Sequence, residues 1–155
     1  MTDPVKAIRL EPAHARDALA CADIFNRFVD ETEWMPRVHD RDDVARFYST
    51  VMLPERDVTV ARADEGVVAF IAIERGHDHV AALYVRNDWR NVGLGRRLLA
   101  VARQRCPDGF QLWTFQRNTA AQRFYAANGL CEVCRTDGDN EESLPDILLE
   151  WRPDR

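Results

Sequence analysis

The segment of this chain best suited to chemistry is Trp89-Arg90-Asn91-Val92-Gly93-Leu94-Gly95-Arg96-Arg97. It follows an apolar run and leads into a helical pattern, so we expect it to begin a helix. Two glycines two positions apart leave backbone N–H groups uncovered, and the first amides of a helix lack helical acceptors. The macrodipole adds about half a positive charge at this end. With three arginines beside them, these amides favour an anion such as a diphosphate.

Two other side chains are suited to proton transfer. Tyr125 carries a phenol with a reference pKa of about 10, which stays protonated at neutral pH and can act as a general acid. Its helical spacing from Ala121 and Phe124, taken alone, predicts a residue that packs in the core. His79, with an unperturbed pKa of about 6.5, is mostly neutral at pH 7 and can accept a proton. Glu74 is the alternative base, and a water chain with no dedicated base is a third alternative.

Hydrophobic periodicity predicts the elements that position these groups. We expect strands at Val5–Leu10, Val58–Arg62, Val67–Glu74, His79–Val85, Phe110–Phe115, Leu130–Arg135 and Ile147–Trp151. A first helix is predicted from Pro12 to about Val29. A second helix is predicted with Val44, Phe47, Tyr48 and Val51 on its buried face, an Asp at 40 or 42 as its cap, and Pro54 at its end.

Two more helices follow the glycine loop and the fifth strand. The first has a predicted buried stripe of Leu94, Leu98, Val101, Ala102 and Arg105. The second begins at a cap, either Asn118 or Thr119 with Gln122, and ends at Gly129. This order predicts a mixed α/β fold with a parallel strand-helix-strand crossover around the glycine loop. Ligands of open α/β sheets bind beyond the carboxyl ends of such strands, where this loop lies.

Two motifs carry a resemblance to a known family. Arg90-x-x-Gly93-x-Gly95 between a strand and a helix resembles the pyrophosphate loop of the GNAT superfamily of N-acetyltransferases. Asn118 to Leu130 is similar to that family's Asn-x-x-Ala…Phe-Tyr-x-x-x-Gly-hydrophobic segment. The resemblance implies a partly splayed sheet of about seven strands flanked by about four helices. It also implies acetyl-CoA as co-substrate, with no metal.

Site residues follow from the resemblance one by one. The pantetheine arm of the coenzyme would pair with main chain at Leu83, Tyr84 and Val85. Its pyrophosphate would rest on the loop formed by Arg90, Asn91, Val92, Gly93, Leu94, Gly95 and Arg96, and Asn118 would face the cofactor. Tyr125 would point at the thioester sulfur as the catalytic acid, and His79 lies about where the family often places its base.

The resemblance implies direct transfer of an acetyl group to a primary amine of a small molecule. A protein amine as acceptor and a non-catalytic acyl-CoA sensor are the alternatives. The acceptor would be held by the segments Asp30–His39 and Thr136–Pro145, both partly acidic. We therefore expect a cationic amine, with Glu31 supplying charge and Trp34 an apolar or cation–π wall.

Composition limits the remaining possibilities. The 155 residues, 46% of them hydrophobic, predict a single domain over 1–155. A net charge of −5 argues against nucleic-acid binding. No signal peptide or membrane span is indicated, so the cytoplasm is expected. All four cysteines are predicted to be buried free thiols, with Cys131 and Cys134 on opposite faces of a strand and neither binding metal. The sequence leaves open whether the protein is a monomer or a homodimer.

Overall fold

In the computed structural model, which describes residues 7–154, seven strands form one open mixed sheet in the order β1-β2-β3-β4-β5-β7-β6. The strands are β1 Arg9–Pro12, β2 Arg56–Ala63, β3 Gly66–Glu74, β4 His79–Val85, β5 Phe110–Phe115, β6 Cys131–Thr136 and β7 Asp146–Trp151. Every neighbouring pair is antiparallel except β4 and β5, which are parallel. This one parallel pair encloses the crossover that contains the glycine loop.

Four helices cover the two faces of the sheet. They are α1 Ala18–Glu31, α2 Arg41–Phe47, α3 Leu94–Arg105 and α4 Thr119–Ala127. On one face, α1 and α2 pack on a core that includes Cys21, Val44, Val60 and Phe70. On the other, α3 and α4 pack on a larger core that includes Ile71, Leu98, Leu112 and Tyr125. Tyr125 therefore belongs to the packed interior, whatever else it does.

The parallel pair β4–β5 is joined only at its start. His79 pairs with Gln111, and the Gln111 amide donates to the Asp78 carbonyl at 3.0 Å. Beyond this point β4 stays with β3, and β5 stays with β7. A register shift places one extra residue, Ala81, in β4, and such a bulge bends and twists its strand. The two strands therefore separate toward their carboxyl ends and leave a gap in the sheet.

The predicted fold class is confirmed, and β4 and β5 have the predicted bounds. The predicted start of the first helix, Pro12, was wrong, because α1 begins at Ala18. Pro12 ends β1 opposite Thr59, and the Ala13 amide donates to the Val58 carbonyl, so the chain stays extended past the proline. A short 3₁₀ turn at Ala15–Asp17 then precedes α1. The first two residues of the predicted strand Val5–Leu10 lie outside the described residues.

The predicted face of the second helix was partly wrong. Asp40 is the cap, accepting from the Asp43 amide at 2.8 Å, but Phe47 is 42% exposed. The helix continues as a π-helical turn at Tyr48–Met52 and a last α-helical turn at Leu53–Glu55 that contains Pro54. A π turn changes the number of residues per turn, so the 3.6-residue period no longer describes which side chains face the sheet. The buried residues are Val44, Tyr48 and Met52.

The predicted stripe of α3 needs one correction. Its buried residues are Leu94, Leu98, Leu99 and Ala102, while Arg105 is exposed and pairs with Asp57 on β2. Leu99 is buried because α3 packs on the sheet and also lies near α4, so its apolar face is wider than the predicted stripe. Arg105 carries its charge in the last turn, where a cation complements the macrodipole.

The two C-x-x-C cysteines are exposed, so the prediction that they are buried was wrong. The prediction of opposite faces was wrong as well. Cys131 pairs with Glu150 and Cys134 with Leu148, and these partners are two apart on β7. One extra residue, Val133, forms a bulge between them, so both cysteines lie on the same face of β6. Cys21 and Cys106 are buried as predicted.

Gly109 provides a test of the turn that leads into β5. Its φ is +126°, and an added Cβ would lie 2.7 Å from the Trp151 carbonyl oxygen. Gly76 also has a positive φ, +77°, but its added Cβ would meet nothing within 4 Å. Alanine at a positive φ costs about 1–2 kcal/mol at either position. The backbone contact at Gly109 adds about 1–3 kcal/mol. Urea denaturation should show Gly109→Ala to be the more destabilised variant, and equal losses would contradict the contact.

Candidate active site

The glycine loop turns sharply into α3. Asn91 and Gly93 have φ values of +64° and +89°, and Gly93 is the N-cap residue of the helix. The first helical hydrogen bond runs from the Arg97 amide to the Gly93 carbonyl at 3.1 Å. The amides that precede Arg97 in the first turn have no helical carbonyl to bond. They lie at the carboxyl end of β4, directly beside the gap.

The loop is braced against the β2–β3 hairpin. The Trp89 indole donates to the Glu65 carboxylate at 3.0 Å, and the Arg86 guanidinium lies 3.1 Å from the same carboxylate. Arg86 also pairs with Asp88. One acidic side chain of the hairpin turn thus holds both ends of the segment that precedes Arg90. The segment is fixed by the rest of the fold before any anion binds.

The arginines of the loop have different surroundings. Arg90 and Arg96 are exposed, and the Arg90 Nε lies 3.4 Å from the Val85 carbonyl oxygen. Arg97 is half-buried and donates to the Ile8 carbonyl at 3.3 Å, so it also ties α3 to the segment before β1. Arg90 and Arg96 are therefore the cations of this loop most accessible to a phosphate group.

The main chain of β4 offers hydrogen-bonding groups to the gap. The Arg86 amide donates to the Val68 carbonyl on β3, and groups that point toward one neighbour alternate along an antiparallel strand. Tyr84 therefore faces β3 with its main chain, while Leu83 and Val85 face the gap. Of the three predicted residues, Leu83 and Val85 have the orientation that a ligand lying along β4 requires.

Asn118 caps α4, and its side-chain oxygen accepts from the Ala121 amide at 3.1 Å. This confirms the first of the two predicted caps. The half-buried side chain lies just after β5, at the end of the strand on the far side of the gap. The start of α4 and the start of α3 therefore follow the two strands that separate.

Gly95 sets the distance between α3 and α4. A Cβ added at this position would lie 2.7 Å from the Cζ atom of Phe124. The Phe124 ring in turn lies 5.3 Å from the Tyr125 ring, centroid to centroid. The second glycine of the loop therefore allows α4 to approach closely and so helps to position Tyr125.

Tyr125 and Tyr84 face a common buried region. Burial raises the pKa of Tyr125, so its phenol is protonated at neutral pH. The pKa of Tyr84 is raised chiefly by burial, and also by electrostatic interaction with Tyr125 and Glu142. The Tyr84 ring packs between Phe25 and Phe28, with centroids at 5.4 and 5.2 Å. The sequence had suggested only a main-chain role for Tyr84.

Aromatic side chains line the α1 side of this region. Trp34 contacts Phe28 and Phe115 edge to face, with centroids 6.3 and 5.8 Å away. Phe115 is the last residue of β5, so the segment after α1 lies at the carboxyl end of this strand. Trp34 therefore lies beside the end of β5, and its role as a wall for the acceptor stays a prediction. Phe115 was not predicted, although its position at the end of a parallel strand was a usable signal.

An acidic pocket opens beside these rings. It has a volume of about 440 Å³, and Trp113, Phe115, Asp139 and Glu142 are among its lining residues. Asn140 secures the loop by donating to the Leu144 carbonyl at 2.7 Å. His39 Nε2 and Glu141 Oε2 lie 3.1 Å apart and join the two segments that were predicted to hold an acceptor. Glu31, at the exposed end of α1, is not among the pocket's lining residues.

The structure places the predicted base at the other end of β4. His79 pairs with Glu74 on β3 and with Gln111 on β5, so both candidate bases lie together where the strands are still joined. The His79 pKa is lowered by burial, against the opposing effect of the Glu74 carboxylate. Five residues of strand, roughly 15 Å, separate His79 from Tyr84. Tyr84, whose pKa responds to Tyr125 and Glu142, therefore lies at one end of β4, and the two candidate bases lie at the other end.

Comparisons with known proteins place a family domain within the chain. Residues 54–129, from just before β2 to just after α4, match the acetyltransferase (GNAT) domain. This match covers about half of the chain. No curated protein sequence matches it. The matched residues include the glycine loop, His79 and Tyr125, and all of the second motif except its last residue, Leu130.

Solved structures with this fold cover nearly the whole chain. Apo YjaB from Escherichia coli is 24% identical, with a TM-score of 0.75 over 93% of this chain and 97% of YjaB. The yncA protein from Salmonella typhimurium, solved with its cofactor acetyl-CoA, is 20% identical, with a TM-score of 0.71 over 94% of each chain. The ribosomal-protein-S18-alanine N-acetyltransferase from Escherichia coli is 16% identical, with a TM-score of 0.68 over 94% and 93%. These likenesses establish the GNAT fold.

Two features are absent from residues 7–154. None of the helices within this range is long and apolar enough to cross a bilayer. No group of three or more His, Cys, Asp or Glu side chains within it could hold a metal ion.

The contact between Gly95 and Phe124 gives a prediction for the GNAT loop. Gly95→Val should lower the free energy of unfolding by about 1–3 kcal/mol, because the new side chain overlaps the Phe124 ring. Ala100→Val, at an exposed position of α3, is the matched control and should cost well under about 1 kcal/mol. Urea denaturation measures both. The double variant Gly95→Val/Phe124→Leu should recover part of the loss, and no recovery would contradict the contact.

The lowered pKa of His79 predicts how stability depends on pH. Because the folded protein binds this proton less readily than the unfolded chain, stability should fall as the pH decreases through the unfolded pKa of about 6.5. His79→Gln removes the effect and should flatten the dependence measured by urea denaturation between about pH 7.5 and about pH 5.5. The exposed His77, changed to Gln, is the control. The same dependence on pH in the His79 variant and the wild type would contradict the assignment.

Proposed function

We propose that this protein transfers the acetyl group of acetyl-CoA directly to a primary amine of a small molecule. The observation that carries the proposal is the gap between β4 and β5, which has uncapped amides of α3 at its mouth and the buried Tyr125 on α4 beside it. The match of residues 54–129 to the acetyltransferase domain and the acetyl-CoA named for yncA support the choice of cofactor.

The loop and β4 would hold the coenzyme. The amides from Asn91 to Arg96 are oriented by the start of α3 and would receive the pyrophosphate, with Arg90 and Arg96 adding charge. Leu83 and Val85 would bond the pantetheine amides in the gap, beside Tyr84, and Asn118 would face the cofactor from the other side. This arrangement directs the thioester away from solvent and toward α4.

Tyr125 would act as the general acid. The amine nitrogen attacks the thioester carbonyl carbon, the tetrahedral intermediate collapses, and the carbon–sulfur bond breaks while the tyrosine proton passes to the departing sulfur. Burial makes a phenol a weaker acid, but it also weakens thiols: the Cys21 thiol has its pKa raised to about 12 by burial. A coenzyme thiolate buried beside Tyr125 would have its pKa raised in the same way and would therefore still accept the proton.

His79, with Glu74 beside it, is the proposed base. Their distance from the tyrosines means that a proton leaving the amine would reach them through water in the gap. The lowered pKa of His79 supports this role, because the imidazole is neutral at physiological pH and free to accept. A water chain that delivers the proton to solvent remains the alternative route.

The acceptor would enter from the side of Trp34 and the acidic pocket. Glu142 is the carboxylate whose charge reaches Tyr84, so it is well placed to attract an ammonium group toward the thioester. Trp34 and Phe115 would cover the apolar part of the acceptor. Glu31 would contribute at longer range. The contact between His39 and Glu141 joins the two acceptor segments, and this connection would limit the size of an acceptor, which supports a small molecule over a protein chain.

Replacement of Tyr125 tests the chemistry. Tyr125→Phe should lower kcat by about 10²-fold or more, because the departing thiolate loses its proton donor. Affinity for acetyl-CoA, measured by calorimetry, should stay within about threefold, since each factor of ten corresponds to about 1.4 kcal/mol of binding energy. Tyr48→Phe, in the core beneath α2, is the control. Reduced affinity with unchanged kcat would mean that Tyr125 only packs against the cofactor.

Replacement of Glu142 tests the acceptor site. Glu142→Gln should raise the KM for a cationic amine about tenfold while leaving that for acetyl-CoA unchanged, since charged hydrogen bonds contribute about 1.5–3 kcal/mol. Glu132→Gln, at an exposed position on β6, is the matched control. Release of free thiol over a panel of amines is the assay. An unchanged KM for the amine would contradict a cation-binding role for Glu142. If no amine caused release of free thiol, a non-catalytic sensor would be favoured.

A further inference from the structure

The cysteine pair on β6 has no part in the proposed acetyl transfer. β6 is the last strand of the sheet order, so one of its long edges has no strand beside it. Both cysteines are free and exposed. The bulge at Val133 puts them on one face, opposite residues two apart on β7. Two accessible thiols therefore point the same way from the same edge.

The spacing of the two cysteines argues against a disulfide between them and favours the binding of one centre by both thiols. Two positions along a strand correspond to about 6.8 Å between Cα atoms. A disulfide needs Cβ atoms about 3.8 Å apart and sulfurs about 2.05 Å apart, which parallel side chains at this spacing do not reach without movement of the backbone. Two thiolates bound to one pyramidal trivalent centre, at about 2.3 Å each, stand roughly 3.5 Å apart. Side chains leaning toward each other can meet that requirement.

We propose that Cys131 and Cys134 form a two-thiol binding site for a thiophilic centre such as trivalent arsenic. Such a centre takes two sulfurs from the protein and keeps its remaining ligand from solution. The site therefore needs no third protein ligand, in agreement with the absence of larger metal-binding clusters among residues 7–154. Soft centres of this kind prefer thiolates over oxygen ligands.

The reaction with a monosubstituted arsenic(III) oxide balances without an oxidant. Two arsenic–sulfur bonds form, and the arsenic–oxygen double bond is lost. The oxygen leaves as water with the two thiol protons. Arsenic stays trivalent, and neither sulfur changes oxidation state.

The chain contains its own comparison thiols. Cys21 and Cys106 are buried, and burial raises their pKa values to about 12 and about 11. They lie on separate elements and make no pair. In the folded protein, a dithiol adduct should therefore form only on β6.

The test uses phenylarsine oxide and intact-protein mass spectrometry. We expect one adduct per chain that survives an excess of a monothiol and is removed by dithiothreitol, because a chelate resists single thiols. Cys131→Ser and Cys134→Ser should each lose this resistance. The double variant Cys134→Ser/Arg135→Cys keeps two exposed thiols but moves one to the opposite face, since Arg135 pairs with Ile147, and it should lose the resistance too.

Three results would overturn the proposal. The first is a monothiol-resistant adduct of equal yield in Cys134→Ser. The second is equal resistance in the face-switched double variant, which would show that the bulge is irrelevant. The third is an adduct containing two chains and one arsenic in size-exclusion chromatography, which would mean that the centre bridges two molecules.

Discussion

The structure depends on the single point at which β4 and β5 are hydrogen-bonded. At His79 and Gln111 the two halves of the sheet are joined, and beyond it they separate. One half, β1 to β4, is held by its own antiparallel ladders, and the other half, β5 to β7, by its own. Each half can thus stay fully paired while the strands between them diverge. The gap exposes main-chain groups of β4 that would otherwise bond a neighbouring strand.

A gap of this kind suits a long, flexible ligand with polar amides and a charged end. The unpaired edge of β4 supplies hydrogen bonds along its length, and the start of α3 supplies a positive end. The hydrogen bonds of β4 and the positive end of α3 both come from backbone groups. Apart from the glycines, they therefore depend little on which side chains are present. Gly95 also lets Phe124 approach α3. The same residue therefore opens the backbone of the loop and sets the position of the helix that carries Tyr125.

The two ends of the gap differ in electrostatic character. At the loop end Arg90 and Arg96 are exposed cations, whereas the acidic pocket is lined by the exposed Asp139 and the half-buried Glu142. Between them lies an aromatic and tyrosine-lined region in which burial raises phenol pKa values. Such a gradient would hold an anionic coenzyme and a cationic acceptor at opposite ends. The net charge of −5 does not reveal this separation, because it sums the charges at the two ends of the gap with those of the rest of the chain.

The sequence predicted most of the strands and helices and the glycine loop, because each depends on residues close together in the chain. Alternation and turn residues gave β2 to β5, helix periodicity gave α3 and α4, and the paired glycines marked the loop. Tertiary structure alone decided the rest. Bulges at Ala81 and Val133 shift which face each residue occupies, and the π turn after Phe47 does the same for a helix. The grouping of Tyr84, Tyr125 and Glu142, and the distance of His79 from them, depend on contacts between residues far apart in the chain. A pattern of period 2 or 3.6 records which side of its own element a residue faces, but not where an extra residue resets the count or which distant element lies opposite.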